Sequence, residues 1–111
     1  MNYISDVPER VENIFALLIQ SRSIELSWIE PHDNNAPIEG YLVLYRQPIF
    51  AGGETIVNST VDVMIALNGL FPGVTYSFAV IAYNDIGNSI PSEATEIITV
   101  EEGNLTLVQF Y

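Results

Sequence analysis

The sequence contains no cysteine and no lysine, and the missing side chains exclude several kinds of protein. Without cysteine there is no disulfide scaffold, no thiolate zinc site and no cysteine nucleophile. Three arginines stand against 14 acidic residues, for a net charge of -11, which excludes nucleic acid and anionic membranes as partners. Charged residues make up only 15% of the chain and hydrophobic ones 49%, which excludes a disordered acidic tail.

Long hydrophobic runs are also missing. No stretch approaches the roughly 20 apolar residues of a membrane helix, and the run from Ile14 to Ile19 is too short for the core of a signal peptide. A chain of 111 residues can bury a core without a metal or a disulfide. We therefore expect one soluble domain, excised from a longer protein.

Apolar and polar residues instead alternate along most of the chain, as they do in half-buried strands. The predicted strands are 11–19, 24–28, 41–45, a short edge strand at 55–57, 63–67, 76–82 and 94–100. Proline, glycine and asparagine separate these segments. About seven short strands with this spacing predict an all-β fold, an antiparallel sandwich of two sheets.

Several motifs occur in a fixed order within that pattern. They are Trp28 with Glu30-Pro31, the run Ile38 to Tyr45, the run Leu67 to Tyr76, and Ala82-Tyr83-Asn84 with Gly87. In this order they resemble a fibronectin type III domain, an immunoglobulin-like antiparallel β-sandwich of seven strands. The resemblance covers residues 7–101, which implies an N-terminal linker at 1–6 and a C-terminal linker or tail at 102–111.

The resemblance also implies roles for the largest core residues. Trp28 would anchor the space between the sheets. Leu70 and Tyr76 would form a tyrosine corner, in which the phenol hydroxyl bonds to upstream backbone. Tyr41 and Tyr45 would point inward from one central strand.

The outward positions of three strands are unusually apolar. The resemblance implies that the strands at 41–45, 76–82 and 94–100 are neighbours in one sheet. If they alternate as predicted, one exposed sheet face carries Leu42, Leu44, Ala79, Ile81 and Ile98. Monomeric proteins seldom expose a large contiguous apolar patch, so these residues are the candidate interaction face, for a protein partner or for a weak homodimer. The alternatives are ordinary scattered surface residues, or cover supplied by the tail.

Two sequons are present, at Asn58-Ser59-Thr60 and Asn104-Leu105-Thr106. Neither has proline at its middle position, so Asn58 and Asn104 are candidate N-glycosylation sites. We expect the first asparagine in an exposed segment before the strand at 63–67, and the second just past the domain. Two such sites favour an extracellular protein.

The sequence contains little that supports a catalytic function. The single histidine, His32, stands beside Asp33 in a loop without the pattern that a nucleophile requires. Glu101 and Glu102 could join a calcium site, but one pair supplies too few of the six to eight oxygens. We therefore expect a protein that is not an enzyme, with no catalytic residue, metal site, cofactor or small-molecule substrate.

The resemblance implies a non-catalytic protein-interaction and spacer module, acting beside neighbouring tandem domains. Its host would be a multidomain cell-adhesion molecule or cell-surface receptor, of the adhesion, axon-guidance or receptor-phosphatase type. The module would then be extracellular, in the ectodomain of a single-pass membrane protein. Two alternatives stay open, an intracellular titin-like muscle or cytoskeletal module and an accessory domain of a secreted carbohydrate-active enzyme.

Overall fold

The computed structural model describes residues 4–102, which form two antiparallel sheets. The elements are β1 (Phe15–Ile19), β2 (Ile24–Ser27), β3 (Gly40–Arg46), a 3-10 helix (Ile49–Ala51), β4 (Thr55–Thr60), β5 (Met64–Leu67), β6 (Thr75–Tyr83) and β7 (Thr95–Ile98). The smaller sheet has the strand order β1-β2-β5, and the larger has the order β4-β3-β6-β7. The predicted fold class, an immunoglobulin-like sandwich of seven strands, is confirmed.

Alternation along the strands turns one face of each sheet into the core. Val43 and Val80 lie opposite each other in β3 and β6, and both are fully buried. The ring of Trp28 meets the ring of Tyr41 edge-on, with centroids 5.2 Å apart. The five predicted core residues are all buried, with at most 6% exposure: Trp28, Tyr41, Tyr45, Leu70 and Tyr76.

The ends of some strands differ from the predicted ones. The first strand was predicted from residue 11, but β1 begins at Phe15, because Asn13 has a φ of 56° that interrupts the extended backbone. Val11 and Ile14 are nevertheless buried in the core. The edge strand predicted at 55–57 continues to Thr60, since it pairs with β3 over its whole length.

The two ends of the described chain are held at opposite poles of the sandwich. At the N-terminal pole, the Asp6 N–H donates to the carbonyl of Asn34, in the loop that follows β2. At the C-terminal pole, the Val100 N–H donates to the carbonyl of Gln20, in the turn that precedes β2. Residues 4–6, predicted as linker, are therefore bound to the domain.

Candidate interaction surfaces

The N-terminal pole is organised by one buried amide. The side-chain nitrogen of Asn84 donates to the carbonyl oxygens of Asp6, Asp33 and Ala36 at 2.8–3.3 Å. Its oxygen accepts from the N–H groups of Ile86 and Gly87. Asn84 thus joins the N-terminal segment to both loops of this pole.

The C-terminal pole is organised by the tyrosine corner. The Phe71 N–H donates to the Tyr76 hydroxyl at 2.8 Å, and the Thr99 hydroxyl donates to the Phe71 carbonyl at 2.7 Å. Gly73 makes the reversal between them with a φ of 66°, a conformation that glycine adopts without a Cβ clash. The segment that follows β7 is therefore fixed at Thr99 to the turn between β5 and β6.

Glu102, assigned from the sequence to the tail, forms an ion pair with Arg22 at 2.7 Å. The hydrogen bond from Arg22 lowers the pKa of this carboxyl below its ordinary value. Both side chains are exposed, so solvent screens the pair and its contribution to stability is small.

The outer face of the larger sheet carries an apolar row formed by β3 and β6. Leu42 lies opposite Ile81 and Leu44 lies opposite Ala79, and all four are half-buried rather than fully exposed. We call these four residues the outer row. Val57 of β4, which is 55% exposed, lies opposite Leu44 and widens the row toward the sheet edge.

Ile98 lies on the same outer face of the larger sheet as the outer row but does not adjoin it. Its side chain points outward and is 61% exposed, as alternation predicts. However, β7 pairs only with the first part of β6, and Ile98 lies opposite Thr75. The pair Ser77 and Glu96 therefore separates Ile98 from Ala79.

Tyr83 closes the other end of the outer row. It lies opposite Gly40, and a Cβ at that position would come within 2.5 Å of the Tyr83 hydroxyl. The absence of a side chain at Gly40 lets the tyrosine ring cover the backbone of β3. This adds an aromatic surface beside Leu42 and Ile81.

Sequence reasoning missed a second apolar surface, on the outer face of the smaller sheet. Phe15 and Met64 flank Ser27, and Leu18 and Ala66 flank Glu25. Phe15, Leu18 and Met64 are 44–46% exposed, more than any member of the outer row. We call this surface the small-sheet face; its residues are Phe15, Leu18, Glu25, Met64 and Ala66. The blurred alternation of Phe15–Ile19 could have indicated it, because a bulge at Leu17 turns both Phe15 and Leu18 outward.

The first sequon lies elsewhere than predicted. Asn58 stands within β4, opposite the buried Val43, and is half-buried rather than part of an exposed segment. β4 is an edge strand of its sheet, and Asn58 there is partly accessible to solvent. The second asparagine, Asn104, lies outside the described residues.

The side chains of His32 and Asp33 accept hydrogen bonds within their own loop. The Asn34 N–H donates to Nδ1 of His32, and the Asn35 N–H donates to the carboxylate of Asp33. Within residues 4–102, no three histidine, aspartate or glutamate side chains gather closely enough to hold a metal ion. In the same range, no helix is long and apolar enough to cross a membrane.

Comparison with known proteins identifies relatives with the same domain. A profile described as "Fibronectin type III domain" matches residues 9–98. Neurofascin of Gallus gallus is 38% identical over 91 residues, which cover 80% of this chain and 7% of that protein. Cell adhesion molecule Dscam1 of Drosophila melanogaster is 32% identical over 103 residues, which cover 89% of this chain and 5% of that protein.

Among solved structures, a crystal structure of titin domains is similar, with a TM-score of 0.76 and 28% identity. The match covers 87% of this chain and 34% of that one. The chain spans less than a tenth of the length of the two curated relatives. The family profile covers most of the chain, and the predicted resemblance is thereby confirmed. The chain belongs to the fibronectin type III family.

Proposed function

We propose that the chain is a non-catalytic protein-interaction and spacer module in the extracellular part of a multidomain cell-adhesion molecule or cell-surface receptor. The names of two relatives support this host class. They are cell adhesion molecule Dscam1 of Drosophila melanogaster and neuronal cell adhesion molecule of Gallus gallus, and the second is 38% identical over 88 residues. The sequons at Asn58 and Asn104 support an ectodomain of a single-pass membrane protein.

The observation that carries the spacer role is the placement of the two ends of the described residues, 4–102, at opposite poles. The Asn84 amide holds the segment around Asp6, and the Thr99 hydroxyl holds the segment just after β7 against the β5–β6 turn. A module attached at both poles can transmit position and tension along a row of domains. Tandem neighbours are therefore the partners that this arrangement fits first.

The outer row is the proposed surface for a protein partner in the proposed ectodomain. Tyr83 and Val57 extend it, so apolar side chains continue across β4, β3 and β6. Four half-buried residues provide much less than the roughly 800 Å² per partner of a stable interface. We therefore propose weak contacts through this row, with a partner or with a second copy.

The similarity to titin domains favours a second candidate function, an intracellular muscle or cytoskeletal module. Such a module would share the sandwich, the two held poles and the lack of cysteine. The two candidates differ in compartment, and only the extracellular one gives the sequons a use.

The deciding experiment is glycan mapping on the protein isolated from its native cells. Enzymatic release of N-linked glycan converts an occupied asparagine to aspartate, which mass spectrometry detects at Asn58 and Asn104. We expect occupancy of at least one site, together with antibody staining of intact, unpermeabilised cells. Two unmodified asparagines and staining only after permeabilisation would favour the intracellular candidate.

A further inference from the structure

The small-sheet face has a carboxylate at its centre. Glu25 lies between Leu18 and Ala66, and Phe15 and Met64 lie on either side of Ser27, two residues further along β2. The residue is half-buried, so part of its hydration is replaced by apolar neighbours. Among residues 4–102 the Glu25 carboxylate makes no hydrogen bond and no ion pair.

The arginines of the chain are all engaged elsewhere. Arg10 donates to the carbonyl of Pro91, Arg46 donates to the carbonyl of Gly53, and Arg22 pairs with Glu102. With no lysine in the sequence, the chain has no further cation of this kind to offer. A cation for Glu25 must therefore come from another molecule.

We propose that the small-sheet face binds a protein partner that presents an arginine or lysine surrounded by apolar side chains. The apolar part of the partner would cover Phe15, Leu18 and Met64, which are 44–46% exposed and lie together on this face. Its cation would pair with Glu25 in a site that the two surfaces shield from water, where a charged hydrogen bond is strong. This goes beyond the proposed function, because it holds for an extracellular and for an intracellular module alike.

A second copy of the chain does not have this chemistry. Two small-sheet faces in contact would bring two Glu25 carboxylates together, and the net charge of -11 on each copy adds to the repulsion. The face is also small, since three strands about 4.8 Å apart and four to five residues long span roughly 200 Å². Its affinity for a single partner segment is therefore expected to be weak, in the range that tandem modules raise by avidity.

The test uses the full 111-residue chain and a defined probe. The probe is an eight-residue peptide of alternating leucine and arginine, titrated into the protein while backbone amide shifts are followed by NMR. We expect the shifts to concentrate on Phe15, Leu18, Glu25 and Met64. Two control peptides, with serine in place of leucine and with glutamate in place of arginine, should each bind at least about fivefold more weakly.

Matched variants locate the effect on the surface. Glu25→Gln should weaken binding of the leucine–arginine peptide about fivefold or more, and Phe15→Ser should do the same. Glu96→Gln, an equally outward carboxylate on the larger sheet, should leave the affinity unchanged. Circular dichroism and a thermal melt check that each variant is folded.

Three outcomes would overturn the proposal. In the first, the peptide-induced amide shifts are spread over residues near carboxylates on the whole surface, and Glu25→Gln and Glu96→Gln lower the affinity for the peptide equally. The second is shifts that concentrate on the outer row. The third is concentration-dependent shifts on the small-sheet face without any peptide, which would make a second copy the occupant.

Discussion

At the scale of single residues, two buried tyrosine hydroxyls in the same core have different surroundings. The Tyr76 hydroxyl accepts the Phe71 N–H at 2.8 Å, whereas the buried Tyr41 hydroxyl has no hydrogen-bond partner within the described part of the chain. Burial raises the pKa of Tyr41, and the nearby Glu30 carboxylate raises it further. The indole N–H of Trp28 opposes this rise, although the two groups do not reach hydrogen-bonding geometry.

Removing each hydroxyl should therefore have a different cost. Tyr76→Phe leaves the Phe71 N–H without its acceptor, so we expect a loss of about 1–3 kcal/mol in the free energy of unfolding. Tyr41→Phe removes a buried oxygen that forms no bond, so we expect a change within about 0.5 kcal/mol or a gain. Urea denaturation of both variants measures the difference. Equal losses would contradict the assignment of the corner to Tyr76.

The stability of the parent chain and that of Tyr41→Phe should also depend differently on pH. Burial raises the pKa of Tyr41 and also of Tyr45, so the folded state binds protons more tightly than the unfolded state. The contribution of these two tyrosines to the free energy of unfolding is complete below the ordinary tyrosine pKa of 10.0. It is lost as the pH rises through their raised pKa in the folded state. Tyr41→Phe should accordingly show a smaller fall in stability above pH 10 than the parent chain.

At the scale of elements, one buried side chain connects the loops of the N-terminal pole. Asn84 is 5% exposed and bonds to three separate segments of the chain, including Asp6 near the N-terminus. Two backbone hydrogen bonds also join these segments, from the Asp6 N–H to the Asn34 carbonyl and from the Glu9 N–H to the His32 carbonyl. The pole is where a preceding segment would join the domain.

Asn84→Ala should therefore loosen the pole more than it weakens the sandwich. We expect a loss of about 1–3 kcal/mol, because the carbonyl of the buried Ala36 loses its donor and the N–H groups of Ile86 and Gly87 lose their acceptor. Amide hydrogen exchange should rise in residues 4–9 and 33–36, while β3 and β6 stay protected. Asn88→Ala, an exposed neighbour in the same loop, is the control and should change neither measurement. Unchanged exchange at residues 4–9 would mean that the other bonds of this segment suffice.

The elements also show what the sequence could predict. β3 and β6 are the central strands of the larger sheet, and inward and outward side chains alternate strictly along them. The sequence therefore predicts the inward direction of Val43 and Val80. Alternation gives the direction of a side chain but not its place along the partner strand. Alternation therefore predicts that Ile98 points outward, whereas its neighbours on the face are set by the register between β6 and β7. The small-sheet face was missed because the bulge at Leu17 breaks the period of two.

At the scale of the whole molecule, strong net charge opposes the contact that the outer row offers. Two copies with charges of -11 each, at centres about 25 Å apart, repel by roughly 20 kcal/mol in unscreened water. With a Debye length of about 8 Å at ionic strength 0.15 M, the repulsion falls to about 1 kcal/mol. The apolar gain at the outer row is a few kcal/mol and is largely offset by the free-energy cost of association.

Self-association through the outer row should therefore be weak and should strengthen as salt is added. Sedimentation equilibrium at ionic strengths of about 0.01 M and 0.5 M measures this directly. Leu44→Glu with Ile81→Glu places two like charges within the row and should abolish the salt-promoted dimer. Leu18→Glu, on the opposite sheet, serves as the matched control and should leave it intact. If instead Leu18→Glu abolishes the dimer and the double variant retains it, the copies meet through the small-sheet face. That result would also count against a basic partner there, because the face would then accept a second acidic chain.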